Sequence, residues 1–171
     1  MEHSPPSVTG YDHVRARLNP VTDALVGLDL IDWAHLRSSH LDNSLEVPMQ
    51  LRRLAEGVDG LPGKWADRLR QLIIHGHSGC IVQSAEYAVP FLIGLCSADR
   101  PTIVRESLLL LADLTTEPFH TEVEHGNADM HERTQNAILA GYDTYVRLTE
   151  APDRRTREAA TELLTRLDEV E

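Results

Sequence analysis

The stretch that decides the fold is Asp99-Arg100-Pro101-Thr102-Ile103-Val104-Arg105-Glu106-Ser107, together with its echo Asp153-Arg154-Arg155-Thr156-Arg157-Glu158-Ala159. Each opens with an aspartate, whose side chain accepts a backbone N–H left unpaired in the first turn of a helix. Each places Arg-Glu near the second turn and small or aliphatic residues on the core-facing positions. Pro101 suits a helix start, where its missing N–H has no helical partner to lose. Beyond the first phrase, Ile103, Val104, Leu108, Leu111 and Leu114 recur at helical spacing; beyond the second, Ala159, Ala160, Leu163, Leu164 and Leu167 do. An apolar helix precedes each phrase, over residues 88–95 and 141–148. Residues 47–54 followed by 65–74 form a third, looser copy, with a Gly/Pro loop replacing the tight Asp/Pro turn. One helix pair cannot bury its own apolar face, whereas stacked pairs can. The expectation is an all-α fold, a HEAT-like α-α superhelix of about three or four antiparallel helix pairs.

Outward from that core, Trp65, Leu69, Leu72 and Ile73 make a helical stripe, as do Ile81, Ala85, Ala88, Leu92 and Leu95. Pro90 lies within the latter and predicts a kink or a restart. Ile138, Leu139, Tyr142, Tyr145, Val146 and Leu148 mark a further helix. Asn19-Pro20 opens a segment with Val21, Ala24, Leu25 and Leu28, and Asp32 is placed to cap a helix from Trp33 to about residue 39. Residues 1–18, with little apolar periodicity, read as a loosely held arm before a single domain over 19–171. Residues 115–127 are the longest polar interruption. No period-2 alternation argues for strands.

Four fragments, Ile31-Asp32-Trp33-Ala34-x-Leu36, Val47-Pro48, His77-x-Gly79 and Ala88-Val89-Pro90-Phe91-Leu92, together resemble a family of small HEAT-repeat proteins frequent in actinomycetes. That family carries an Asp-Trp helix start, a Val-Pro helix, a His-Gln-Gly-Thr loop and a helix ending Val-Pro-Phe-Leu. Here the loop is His77-Ser78-Gly79-Cys80, preceded by an additional His75-Gly76. The resemblance spans about residues 28–168. It implies the fold and a binding scaffold, the family having no general assigned activity.

Composition narrows the function classes. Of 171 residues, 16 are Lys or Arg and 27 are Asp or Glu, a net charge of −11. Such a surface repels duplex DNA, RNA and anionic lipid, and disfavours the DNA-glycosylase use of this architecture, which needs a cationic groove. No run approaches the roughly 18 apolar residues of a membrane span. The first residues lack the basic start and apolar stretch of a secretory signal. Two cysteines, Cys80 and Cys96, cannot build a disulfide framework, so a reducing, cytoplasmic location is expected.

Several side chains carry possible chemistry. His75, His77 and Cys80 offer donors that suit zinc, although a structural site wants four ligands and no other Cys/His pair stands at the customary spacing. His77 has the alternative of fixing its loop by hydrogen bonds. His120, His125 and His131, with Glu122, Glu124 and Asp129, form a second imidazole–carboxylate cluster, read first as a solvated loop and also as a partner-contacting excursion. His131-Glu132 starts the zinc-protease motif, but Gln135 stands where its second histidine belongs. Trp33, Trp65 and Tyr87 are aromatic at helical spacing, either core or ligand-facing. Arg105 and Arg157 occupy matching places in the two phrases and are expected to tie adjacent turns together. Cys96, beside Leu92 and Leu95, reads as buried.

Two functions follow. The first is a non-enzymatic scaffold, an adaptor or an immunity-type protein, that holds a protein or peptide on its concave face. Trp33, His77, Tyr87, Glu122 and Glu124 are its candidate contacts; a basic partner, drawn by acidic rims, is one expectation, and a monomer or weak homodimer is another. The second is a small-molecule-binding protein or enzyme, with His75, His77, His120, His125 and Glu86 as acid–base groups or His75, His77 and Cys80 as metal ligands. It requires the two histidine loops to converge on one pocket. Neither reading calls for a cofactor.

Overall fold

Apolar residues three and four apart generate seven α-helices in the computed structural model, which describes residues 23–36, 43–75, 80–115 and 128–169. Helix α1 (Glu46–Glu56) buries Val47, Leu51, Leu54 and Ala55 and ends at Gly57, whose φ of 59° is left-handed and open to glycine without penalty. Helix α2 (Pro62–Ile73) has proline in its first turn and buries Trp65, Leu69, Leu72 and Ile73. Helices α3 (Gln83–Leu95) and α4 (Pro101–Asp113) are the most apolar. Then come α5 (Ala128–Leu139), the short α6 (Tyr142–Leu148) and α7 (Arg154–Asp168). The described residues are all-α, their one β feature being an isolated antiparallel bridge between Ile74 and Ile81. None of their helices is long and apolar enough to cross a membrane.

Packing follows two rules. Helices adjacent in the chain pack as α1 on α2, α3 on α4 and α6 on α7. Helices two apart pack side by side, and α7 packs on α4 across the intervening α5 and α6, so that α1, α3 and α5 form one row and α2, α4 and α7 a second. One apolar core, from Leu28 to Leu167, runs between the rows. Polar ties fix the register within them. Arg70 of α2 donates to Asp113 of α4 (2.6 Å), and Arg166 of α7 donates to the Ala112 carbonyl at the end of α4 (3.0 Å). In the other row, Arg133 of α5 donates to both carboxylate oxygens of Glu86 on α3, at 3.1 Å each. These partly exposed pairs each contribute only about 0–1 kcal/mol. Burial of the apolar faces dominates the stability.

The structure corrects several sequence expectations. Asp153 does cap α7, accepting the Thr156 N–H at 2.8 Å, but Asp99 stands one residue too early to cap α4, whose N-cap is Arg100. Counted from the first helical residues, Pro101 and Arg154, Arg105 falls opposite Glu158. Counted by burial, Val104, Ser107, Leu108, Leu111 and Thr115 match Thr156, Ala159, Ala160, Leu163 and Leu167 and keep Arg105 opposite Arg157, so burial is compatible with the expected register. Arg157 holds the Ala151 and Pro152 carbonyls (2.7 and 2.9 Å), while Arg105 pairs with Glu106 beside it. The row neighbour of α3 is α5, and α6 packs mainly on α7. Pro90 does not interrupt α3, where it is exposed and removes a single backbone bond.

The helix expected after Asp32 is a 3-10 turn, Trp33–His35, followed by extended Leu36; the Asp32 carboxylate accepts from His35 Nδ1 (2.7 Å) instead of capping the backbone. The arm at 1–18, the Asn19-Pro20 start and residues 37–39 lie outside the described residues.

Candidate functional site

The histidine loop begins where α2 ends. Ile74 is extended and bridges Ile81, His75 N–H donates to the Cys80 carbonyl (2.8 Å), and Val82 N–H donates to the Ile73 carbonyl (3.0 Å). This pairing brings His75 next to Cys80, whose side chain is buried. His77 lies outside the described residues, so two of the three proposed metal donors are in view. His120, His125, Glu122 and Glu124 also lie outside them, and with them any convergence of the two histidine loops. Among the described residues no group of three His, Cys, Asp or Glu side chains is placed to hold a metal ion.

The remaining candidates are positioned by packing. Glu86 is committed to Arg133, so its charge is balanced across the α3–α5 contact. Gln135 is buried and donates to the Leu114 carbonyl (2.9 Å), clamping the end of α4. Trp33 is 4% exposed, its indole N–H donates to the Leu28 carbonyl (2.9 Å), and its ring packs tilted on Phe91, centroids 6.5 Å apart. It belongs to the core, with no face for a ligand. Tyr87, 38% exposed on α3, is free to touch one. Cys96 is buried, and burial pushes its thiol up to about 12, which leaves it inert.

Clefts on two helix surfaces stand out among the described residues. The larger, about 850 Å³ along α7, is lined by Arg154, Glu158, Glu162 and Arg166, which pair with one another at 2.6 Å. These four charges satisfy one another, and Arg157 in the same lining is held by the Ala151 and Pro152 carbonyls.

The second, about 710 Å³ between α1 and α2, has a different chemistry. Trp65 forms part of its lining, held by an indole N–H bond to the Val58 carbonyl (2.9 Å). Arg53 of α1 lies 4.8 Å and Lys64 of α2 4.6 Å from the Trp65 ring centroid, within cation–π range. Arg68 is paired with Glu46 (2.8 Å). Gln50 also lines the cleft; it is 2% exposed, and its Oε1 has no hydrogen-bond partner. A buried amide oxygen left unpaired costs about 1–3 kcal/mol.

Sequence reading missed this cleft. Lys64, Trp65 and Arg68 share one helix face, a legible signal, but Arg53 and Gln50 join them only once α1 packs on α2. Compared with protein-family models, with curated proteins and with solved structures, the chain matches none.

Proposed function

We propose that this chain is a non-enzymatic scaffold of HEAT-like type, kin to the small HEAT-repeat proteins its motifs resemble, that binds a protein or peptide partner in the cytoplasm. The observation that carries the proposal is the chain-order stacking of helices in two rows, α1–α3–α5 and α2–α4–α7. Such an order extends a rigid surface from pair to pair, and stacked helix pairs use that surface for recognition. Of the side chains expected to do acid–base work, Glu86 is occupied by Arg133 across the α3–α5 contact, which gives a second line of support. With a net charge of −11, a basic partner is attracted at long range and association is salt-dependent.

The test is capture with the tagged chain from its native cells, followed by reconstitution with the purified partner. A stoichiometric complex whose association slows with added salt is expected. Repeated captures without a partner, combined with turnover of a small molecule by the purified chain, would overturn the proposal.

A further inference from the structure

We infer that the α1–α2 cleft binds an acidic, extended peptide segment, with a carboxylate seated between Arg53 and Lys64 and a peptide N–H donating to Gln50. This deepens the protein-binding reading above and rests on it, the acidic segment being a local feature of a partner that is basic overall. Three observations converge on the cleft. Arg53 and Lys64 share the Trp65 ring and, among the described residues, have no carboxylate partner, on a chain whose net charge is −11. Nearby cations are spent: Arg68 on Glu46, Arg70 on Asp113 and Asp67, Arg52 on Asp29. Gln50 Oε1 is a buried acceptor lacking a donor, which a ligand N–H would satisfy.

The shape selects a peptide. The lining runs from Glu46 to Arg53 on α1 and from Lys64 to Gln71 on α2. At the helical rise of 1.5 Å per residue that is about 10 Å, the length of about three extended residues. The two carboxylates of the lining, Glu46 and Asp67, are paired with Arg68 and Arg70, and an extended chain brings a further carboxylate and an N–H donor within a few ångströms of each other. The cleft lies beside the row contacts: Gly63 and Arg70 of α2 turn toward α4, to Glu106 and Asp113, and of the lining on α2 Asp67 shares that face while Lys64, Trp65 and Arg68 lie away from it.

The experiment titrates the ¹⁵N-labelled full chain with a capped pentapeptide alternating alanine and glutamate, to about 5 mM, a range that captures the weakest specific affinities. Parallel titrations use its glutamine counterpart and inorganic phosphate. The acidic peptide is expected to shift the Trp65 indole N–H and the Gln50 side-chain amide, with the glutamine peptide weaker by about tenfold, as befits loss of charge-assisted bonds. Removing both cations (Arg53→Ala with Lys64→Ala) is expected to weaken binding by a similar factor.

Gln50→Met separates ligand from scaffold. It deletes an unpaired buried oxygen, so thermal stability should hold or rise while binding falls at least about fivefold. No shift at Trp65, equal shifts from the two peptides, or wild-type binding by Gln50→Met would each overturn the assignment. So would a phosphate response as strong as that of the acidic peptide, which would mark a simple anion site. Shifts confined to α4 and α7 would leave the scaffold reading standing and remove only this cleft from it.

Discussion

Replacing Gly57 by alanine probes the joint between the first helix pair and the second. Gly57 ends α1 with φ 59° and ψ 42°, a conformation that costs an alanine about 1–2 kcal/mol. The new methyl group also meets an occupied space, because a Cβ at this position overlaps the guanidinium of Arg100. That guanidinium donates to the Glu56 carbonyl at 2.8 Å, covering an unpaired C-terminal carbonyl of α1 from the residue that precedes α4. Arg100 can swing away, so the steric cost is the lost bond, about 0.5–1 kcal/mol at an exposed position. Gly57→Ala should therefore destabilise by about 2 kcal/mol, or about 4–8 °C in Tm. In an Arg100→Ala background the same change should cost only the backbone strain, so a double-mutant cycle leaves a coupling of about 0.5–1 kcal/mol. Urea unfolding followed by circular dichroism at 222 nm measures all four proteins. Equal costs of Gly57→Ala in both backgrounds would refute the contact, and a cost under about 0.5 kcal/mol would refute the left-handed cap itself.

Three further outcomes are expected. The Asp153 carboxyl is held below its ordinary 3.8 first by the Thr156 N–H and hydroxyl and then by Arg105 and Arg155, so its stabilising effect is present above the unfolded value and fades as pH falls through the folded one. The stability gap between wild type and Asp153→Ala should be constant above about pH 5 and close below about pH 4, and a gap unchanged into acid would contradict this. Cys80 and Cys96 are buried, and iodoacetamide at pH 8 should modify neither in the native chain and both after unfolding, as counted by intact mass. Glu86 and Arg133 should couple by about 0.5 kcal/mol in a double-mutant cycle, and Glu86→Gln should leave partner binding unchanged; loss of binding with intact stability would return Glu86 to the functional residues.

Where helices form was largely legible, because burial acts on periodic side chains. Trp65, Leu69, Leu72 and Ile73 are buried as their spacing requires, and Gly57 closes α1 as glycine does. What failed were inferences from single polar residues. Asp32 and Asp153 are the same residue type before an apolar run, yet one bonds the His35 imidazole and the other caps a helix. A lone aspartate has several nearby donors, and the backbone that follows decides which it meets. The shared Arg-Glu pair fits the buried positions of both helices, but the two arginines bond differently, Arg157 to the Ala151 and Pro152 carbonyls and Arg105 to Glu106.

The site was the least legible part. The residues that attracted attention, Glu86 and Trp33, serve packing, whereas the α1–α2 cleft is assembled from Gln50, Arg53, Lys64 and Trp65 on two helices. Nothing in a one-dimensional pattern reports that Gln50 Oε1 ends up buried without a donor.

The account depends most on the two-row helix order, and nuclear Overhauser contacts test it directly. Cross-peaks from the Gly63 α-protons to the Glu106 side chain, joining α2 to α4, and from Pro101 to Thr156, joining α4 to α7, are predicted in the native chain. Absence of both, with α2 packed directly on α7 instead, would contradict the order and the scaffold reading built on it.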